Sequence, residues 1–265
     1  MIETNITIGN LGDALWMTPL FKNNRDGIIN ILDVSETRRL EDIFYKLNIS
    51  IQYLPHLKPL TIDKTQTHVA QQYLNFFNIN DDNCIPKINI KEDDLLWAKD
   101  LISKYPNPLV VISNNIGSSD PQNYWGAYRT PPLDIFKNLL EEYSKKYTLL
   151  HFGLSKNFIK KSYGNECNNF SELPNCINIL DLNLSKLAAC YSLIGKYLGG
   201  DTGDYHLMLS VGGKCNVLIP EHHYLGYNYN SLLYFNSLWK NEKPRVKYTR
   251  FSQFADSLKN IDFDY

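Results

Sequence analysis

The sequence predicts an α/β protein built of two Rossmann-like halves. Three observations carry this reading. β-prone apolar runs alternate with amphipathic stretches at helical spacing. The alternation restarts after a Pro-Asn-Pro break at 106–108. The stretch 196–220, KYLGGDTGDYHLMLSVGGKCNVLIP, reads as strand, turn, short helix, glycine stop and second strand. With 265 residues, 43% of them apolar, the chain is long enough to bury two such cores.

In the first half, residues 5–8 alternate and open into Gly9-Asn10-Leu11-Gly12-Asp13, followed by the apolar stretch 14–21. The order predicts strand, glycine loop and helix, with glycines that let the backbone turn tightly and approach a ligand. Pro19 falls in the second turn, where a plain helix would lose a hydrogen bond. Residues 27–34 form a second apolar strand run. Residues 36–47 place Leu40, Ile43, Phe44 and Leu47 on one helical face, and 49–54 alternates again. A helix is expected over 68–77 and another over 92–105. The boundary is set at about residue 104, giving domains 1–104 and 105–265.

The second half restarts with a strand at 109–113 and a long loop, NNIGSSDPQNYWGAYRT, at 114–130. Loops rich in Gly, Ser and aromatic residues after a buried strand are where ligand contacts gather. A helix over 132–143, strands at 147–152 and 177–180, and a helix over 184–193 lead into the stretch at 196–220. A closing helix is expected over 251–258.

The turn Asp201-Thr202-Gly203-Asp204 therefore falls at the carboxyl edge of a parallel sheet. A helix that starts at Thr202 or Gly203 offers unpaired N–H groups and a partial positive charge, which suits a diphosphate. The alternative is that Asp201 or Thr202 only caps this helix and His206 packs.

Composition narrows the function classes. A net charge of −1 lacks the basic excess that nucleic-acid or membrane-surface binding needs. Cys84, Cys167, Cys176, Cys190 and Cys215 are odd in number with no CxxC pair, so reduced thiols are expected rather than a disulfide framework or a zinc cluster. His56, His68 and the pair His222-His223 have no second ligand at metal spacing. The opening MIETNITIGN lacks a signal pattern, and no apolar run is long enough to span a bilayer. A cytoplasmic protein is expected, with a peripheral place at the inner membrane face as the further option. No G-x-G-x-x-G follows either leading strand, which disfavours a dinucleotide oxidoreductase.

Three segments carry a resemblance. The run DTGDYH at 201–206, followed by a small helix, glycines and an apolar strand, resembles the donor site of glycosyltransferase family 9, the ADP-heptose:lipopolysaccharide heptosyltransferases. GNLGDALWMTPLFK at 9–22 resembles that family's opening motif. The strand, Gly-Ser loop and basic residue shortly before Pro resemble its second-domain entry, with Arg129 where the family usually has Lys.

The resemblance implies the GT-B arrangement, two Rossmann-like domains facing across a cleft, with a C-terminal tail expected to pack back on the first domain. It also implies an inverting, metal-independent transfer of a sugar, such as a heptose, from a nucleoside-diphosphate sugar to a glycan, lipid-linked or other hydroxyl acceptor. An ADP-sugar is the favoured donor, no cofactor is implied, and no nucleic acid or membrane-spanning segment takes part. Asp13 falls where the family's proposed catalytic base lies; the alternative, a helix cap, is compatible with that role. Gly12, Ser118, Arg129, Asp201, Thr202, Gly203 and His206 fall at donor-binding positions. One departure stands out: the first domain is shorter than the family's, so a nucleotide-sugar-binding module without activity is the alternative function.

Overall fold

The computed structural model describes residues 2–7, 15, 18–21, 27–32, 49–53, 74–80, 88–113, 133–155, 172–200, 202–219, 245–250 and 263. Within them the chain forms two wholly parallel sheets. The first has three strands in sequence order, β1 (Ile2–Thr7), β2 (Gly27–Leu32) and β3 (Ile49–Tyr53), registered from Ile2 opposite Gly27 and from Gly27 opposite Ile49. Parallel neighbours require crossover connections, which is the β-α-β-α-β order expected for this half. The helix expected over 36–47 lies outside the described residues.

Pro19 finds a place that suits it. It is the second residue of a four-residue 3-10 turn, Thr18–Phe21, too short to need the N–H that proline lacks. Thr18 Oγ1 donates to the Leu15 carbonyl at 2.8 Å, and Leu15 and Leu20 are fully buried.

The second sheet contains β4 (Leu109–Ser113), β5 (Thr148–Gly153), β6 (Ile177–Leu180), β7 (Lys196–Gly200), β8 (Lys214–Ile219) and β9 (Val246–Arg250), in the order β6-β5-β4-β7-β8-β9. Numbered within this half, that is 3-2-1-4-5-6, the Rossmann order. Strand β9 had no counterpart among the sequence expectations. Helices α1 (Glu92–Ile102), α2 (Leu133–Ser144), α3 (Leu184–Ile194) and α4 (Gly203–Ser210) accompany it.

Strand alternation divides the core between the two faces of this sheet. Leu109 and Val111 of β4, Leu150 and Phe152 of β5, and Tyr197 of β7 pack with α1, α3 and α4 through Ala98, Leu187, Tyr191 and Leu207. Val110, Ile112, Leu149 and Leu198 pack instead with Phe136, Leu139, Leu140 and Tyr143 of α2. Period 2 in the strands and period 3.6 in the helices produce this layering. Burying each Leu or Phe side chain of these layers contributes about 1.5–3 kcal/mol.

Helix α1 lies against α3, with the Ser185 hydroxyl donating to Asp94 and Lys186 Nζ 4.6 Å above the Trp97 ring. The helix that ends just before residue 104 is thus layered on the second sheet. Helix α3 stops at Gly195, whose φ of 67° lets the chain turn directly into β7. Phe263 packs edge-on against Tyr143 and Tyr147, and its carbonyl accepts from Lys214 Nζ at 2.8 Å. Cys176, Cys190 and Cys215 are not in disulfides; burial pushes the thiols of Cys176 and Cys190 up to about 12 and that of Cys215 well above its usual range, so all three stay protonated.

Candidate functional site at the carboxyl edge of the second sheet

The strand order reverses between β4 and β7, because β5 and β6 extend from one side of β4 while β7, β8 and β9 extend from the other. In an open parallel sheet the connections at such a reversal diverge to opposite faces and leave a crevice at the carboxyl ends. Two chain segments leave the sheet there. Strand β4 ends at Ser113, paired with Gly199, and β7 ends at Gly200 before the turn into α4.

That turn is built by hydrogen bonds whose direction can be assigned. Thr202 is the N-cap of α4, in extended conformation (φ −134°, ψ 171°), and its Oγ1 accepts from the Asp204 N–H at 3.3 Å. The fully buried Tyr197 places its hydroxyl 3.1 Å from the Gly200 carbonyl and 3.3 Å from Thr202 Oγ1. A carbonyl can only accept, so the Tyr197 proton goes to Gly200. The Thr202 proton then goes to Tyr197, leaving a Thr202 lone pair for Asp204. The chain of donors therefore runs from Asp204 N–H through Thr202 and Tyr197 to the Gly200 carbonyl.

Helix α4 is short, eight residues, but buried over most of its length through Tyr205, Leu207, Met208 and Leu209. Gly213 fixes its far end: a Cβ there would overlap Met208 Sδ and come within 2.7 Å of Met208 Cγ, so only glycine lets Met208 seat against β8. Its first turn carries the positive end of the helix dipole to the crevice. His206 lies one turn in, 5% exposed, with its ring centroid 3.9 Å from that of Tyr205.

The structure thus brings Thr202, Gly203 and His206 together on one turn and a half of α4. Gly12, Asp13, Ser118, Arg129 and Asp201 lie outside the described residues. Among the described residues no three His, Cys, Asp or Glu side chains are grouped to hold a metal ion, and no helix is long and apolar enough to cross a membrane.

Two polar features escaped the sequence reading. Tyr197 sits in a short strand, KYLGG, and nothing local shows that its hydroxyl reaches the turn that follows. His151, on β5, is fully buried, with Nδ1 2.8 Å from Asn178 Oδ1; burial lowers its basicity, opposed by that hydrogen bond and by the Asp204 carboxylate. A polar residue in an otherwise apolar strand, TLLHFG, was the signal available for it.

No protein-family model matches the chain, and no curated protein sequence matches it significantly. Solved structures do. A glycosyl transferase family 9 protein from Veillonella parvula superimposes with a TM-score of 0.63 over 98% of this chain and 88% of its own, at 14% identity. ADP-heptose LPS heptosyltransferase II from E. coli gives 0.62 over 94% and 90%, at 10% identity. The dodecameric heptosyltransferase TibC, known from enterotoxigenic E. coli and also in complex with ADP-D-β-D-heptose, gives 0.51 over 85% of this chain and 61% of its own. The chain therefore has the two-domain GT-B fold. It shares that fold with family 9 glycosyltransferases and heptosyltransferases.

Proposed function

We propose that the chain is an inverting, metal-independent glycosyltransferase that moves a sugar from a nucleoside-diphosphate sugar to a hydroxyl of a glycan or lipid-linked acceptor. The observation that carries this reading is the placement of the α4 N-terminus and its capped turn at the strand reversal of the second sheet, in a chain with the GT-B fold. Nearly complete coverage of two proteins named as glycosyltransferases supports it, as does the DTGDYH run at 201–206. An ADP-sugar is the favoured donor, since the fold is shared with proteins named for ADP-heptose.

In this reading the diphosphate sits over the first turn of α4, where the backbone around Thr202 and Gly203 and the helix dipole meet its charge. Asp201 shapes the turn, while Gly12, Ser118 and Arg129 complete the donor site from neighbouring loops, with His206 and Arg129 as side-chain donors to the phosphates. Asp13, from the first domain, takes the proton of the acceptor hydroxyl. The acceptor oxygen then bonds to the anomeric carbon as the bond from that carbon to the β-phosphate oxygen breaks, and the electron pair leaves on the nucleoside diphosphate. One displacement inverts the anomeric centre. Growing charge on the leaving group is met by fixed N–H groups and cations, the electrostatic stabilisation that most lowers such barriers.

Thermal unfolding with ADP-, GDP-, UDP- and CDP-sugars tests the donor assignment. A true donor at a hundredfold excess over its Kd adds about 2.7 kcal/mol to the folded state and raises Tm accordingly. No shift with any of the four contradicts the reading.

A further inference from the structure

The donor chain at the β7–α4 turn passes through a side chain, Tyr197, that no part of the reading above employs. We propose that Tyr197 is a positioning residue for the phosphate-binding turn: its hydroxyl holds Gly200 and Thr202 in one geometry, and so sets the direction of the N–H groups at the start of α4. This inference rests on the reading of the β4–β7 edge as a diphosphate site.

The geometry makes the hydroxyl different from one that merely fills a core. Tyr197 is fully buried, and its ring belongs to the apolar layer formed by α3 and α4, yet its hydroxyl lies within 3.3 Å of two polar atoms on either side of residue 201. One contact is to the last residue of β7, and the other is to the N-cap of α4. The hydroxyl therefore bridges the turn from strand to helix. Each link also orients the next. With the Tyr197 proton committed to Gly200, the Thr202 proton is committed to Tyr197, and the Thr202 lone pair faces the Asp204 N–H.

It follows that the Thr202 hydroxyl acts inward, as a cap, and that phosphate contacts from this turn come from the main chain. Removing the Tyr197 hydroxyl frees Thr202 to rotate and the turn to relax, while the ring and its packing stay. The expected consequence is a loss that concerns the phosphates alone.

The test compares Tyr197→Phe and the parent chain by titration with ADP, GDP, UDP and CDP, and with the matching nucleosides that lack phosphate. Tyr197→Phe is expected to bind the preferred diphosphate about fivefold to tenfold more weakly, the size of one lost hydrogen bond, with nucleoside affinity unchanged. Thr202→Val breaks the same chain at its next link and is expected to show the same loss, with no further loss in the double variant. It carries the test alone should Tyr197→Phe fail to fold. Equal diphosphate affinity in the parent and both variants overturns the inference, as does an equal loss for nucleoside and diphosphate, which marks a general structural role. Failure of the parent to bind any of the four diphosphates overturns the donor-site reading together with it.

Discussion

His151 Nδ1 lies 2.8 Å from Asn178 Oδ1, and the orientation of that amide is fixed from three sides. Asn178 Oδ1 also accepts from the Leu173 N–H, while its Nδ2 donates to the carbonyls of Leu173 and Cys176. An amide oxygen can only accept, so His151 carries its proton on Nδ1 and presents a bare Nε2 lone pair inside the core.

Because burial is the leading influence on His151, the folded chain holds it neutral and its folded pKa lies below the ordinary 6.5. Above about pH 6.5 neither state is protonated at this site. As pH falls through that value the unfolded chain takes a proton that the folded chain refuses, so stability drops with falling pH until the folded pKa is passed. Tm followed from pH 7.5 to 5.5 is expected to decline in the parent and to decline less in His151→Gln, whose amide does not titrate. Identical slopes would show that His151 does not govern acid sensitivity.

Gly213 is expected to tolerate no side chain. Met208 is fully buried and cannot swing clear of an added methyl, and the Gly195 carbonyl oxygen lies 3.2 Å from where that methyl would stand. Gly213→Ala is therefore expected to lower unfolding free energy by about 1–3 kcal/mol, the usual cost of overpacking, as measured by urea denaturation. A stability within experimental error of the parent's would show that Met208 is not the anchor of α4.

Arg129 is assigned to the donor phosphates by its place shortly before Pro131 and Pro132. Arg129→Ala is expected to weaken diphosphate binding, and Arg129→Lys to retain part of it, since Lys keeps the charge but loses the planar fork. Unchanged affinity in Arg129→Ala would remove Arg129 from the site.

Turnover is expected to survive chelation. The proposed stabilisation of the leaving group uses N–H groups, Arg129 and His206 rather than a divalent cation. Loss of activity in EDTA, restored by Mg²⁺ or Mn²⁺, would contradict this.

Strand β4 was legible because burial on both faces leaves a continuous apolar run after Pro108, and β6 and β7 because short β-prone runs stand between turn residues. The readings at 109–113, 177–180 and 196–200 coincide with β4, β6 and β7. Strand β8 starts at Lys214, directly after the glycine stop at 212–213, and β1 runs over 2–7 rather than 5–8. Strand ends follow the partner's register more than local pattern, and register is a long-range property. Strand β9, VKYTR, is polar in composition and lies at the sheet edge, so no apolar run announces it.

At the site, the Thr202 cap and the start of α4 at Gly203 were legible from the Asp-Thr-Gly turn, since a cap is written in local sequence. The roles of Tyr197 and of the His151–Asn178 pair were not. Both depend on where a long side chain reaches in three dimensions: across the turn for Tyr197, and across 27 residues of sequence for His151.

The most direct measurement of the proposed activity is release of nucleoside diphosphate from nucleotide sugars, with and without glycan acceptors, by the parent chain and by Asp13→Asn. Asparagine caps a helix about as well as aspartate but cannot take a proton. The parent is expected to release nucleoside diphosphate from one donor, and Asp13→Asn to do so at least about a hundredfold more slowly with donor affinity retained. Full release by Asp13→Asn would contradict the role given to Asp13, and donor binding without release by the parent on any acceptor would contradict the transferase itself.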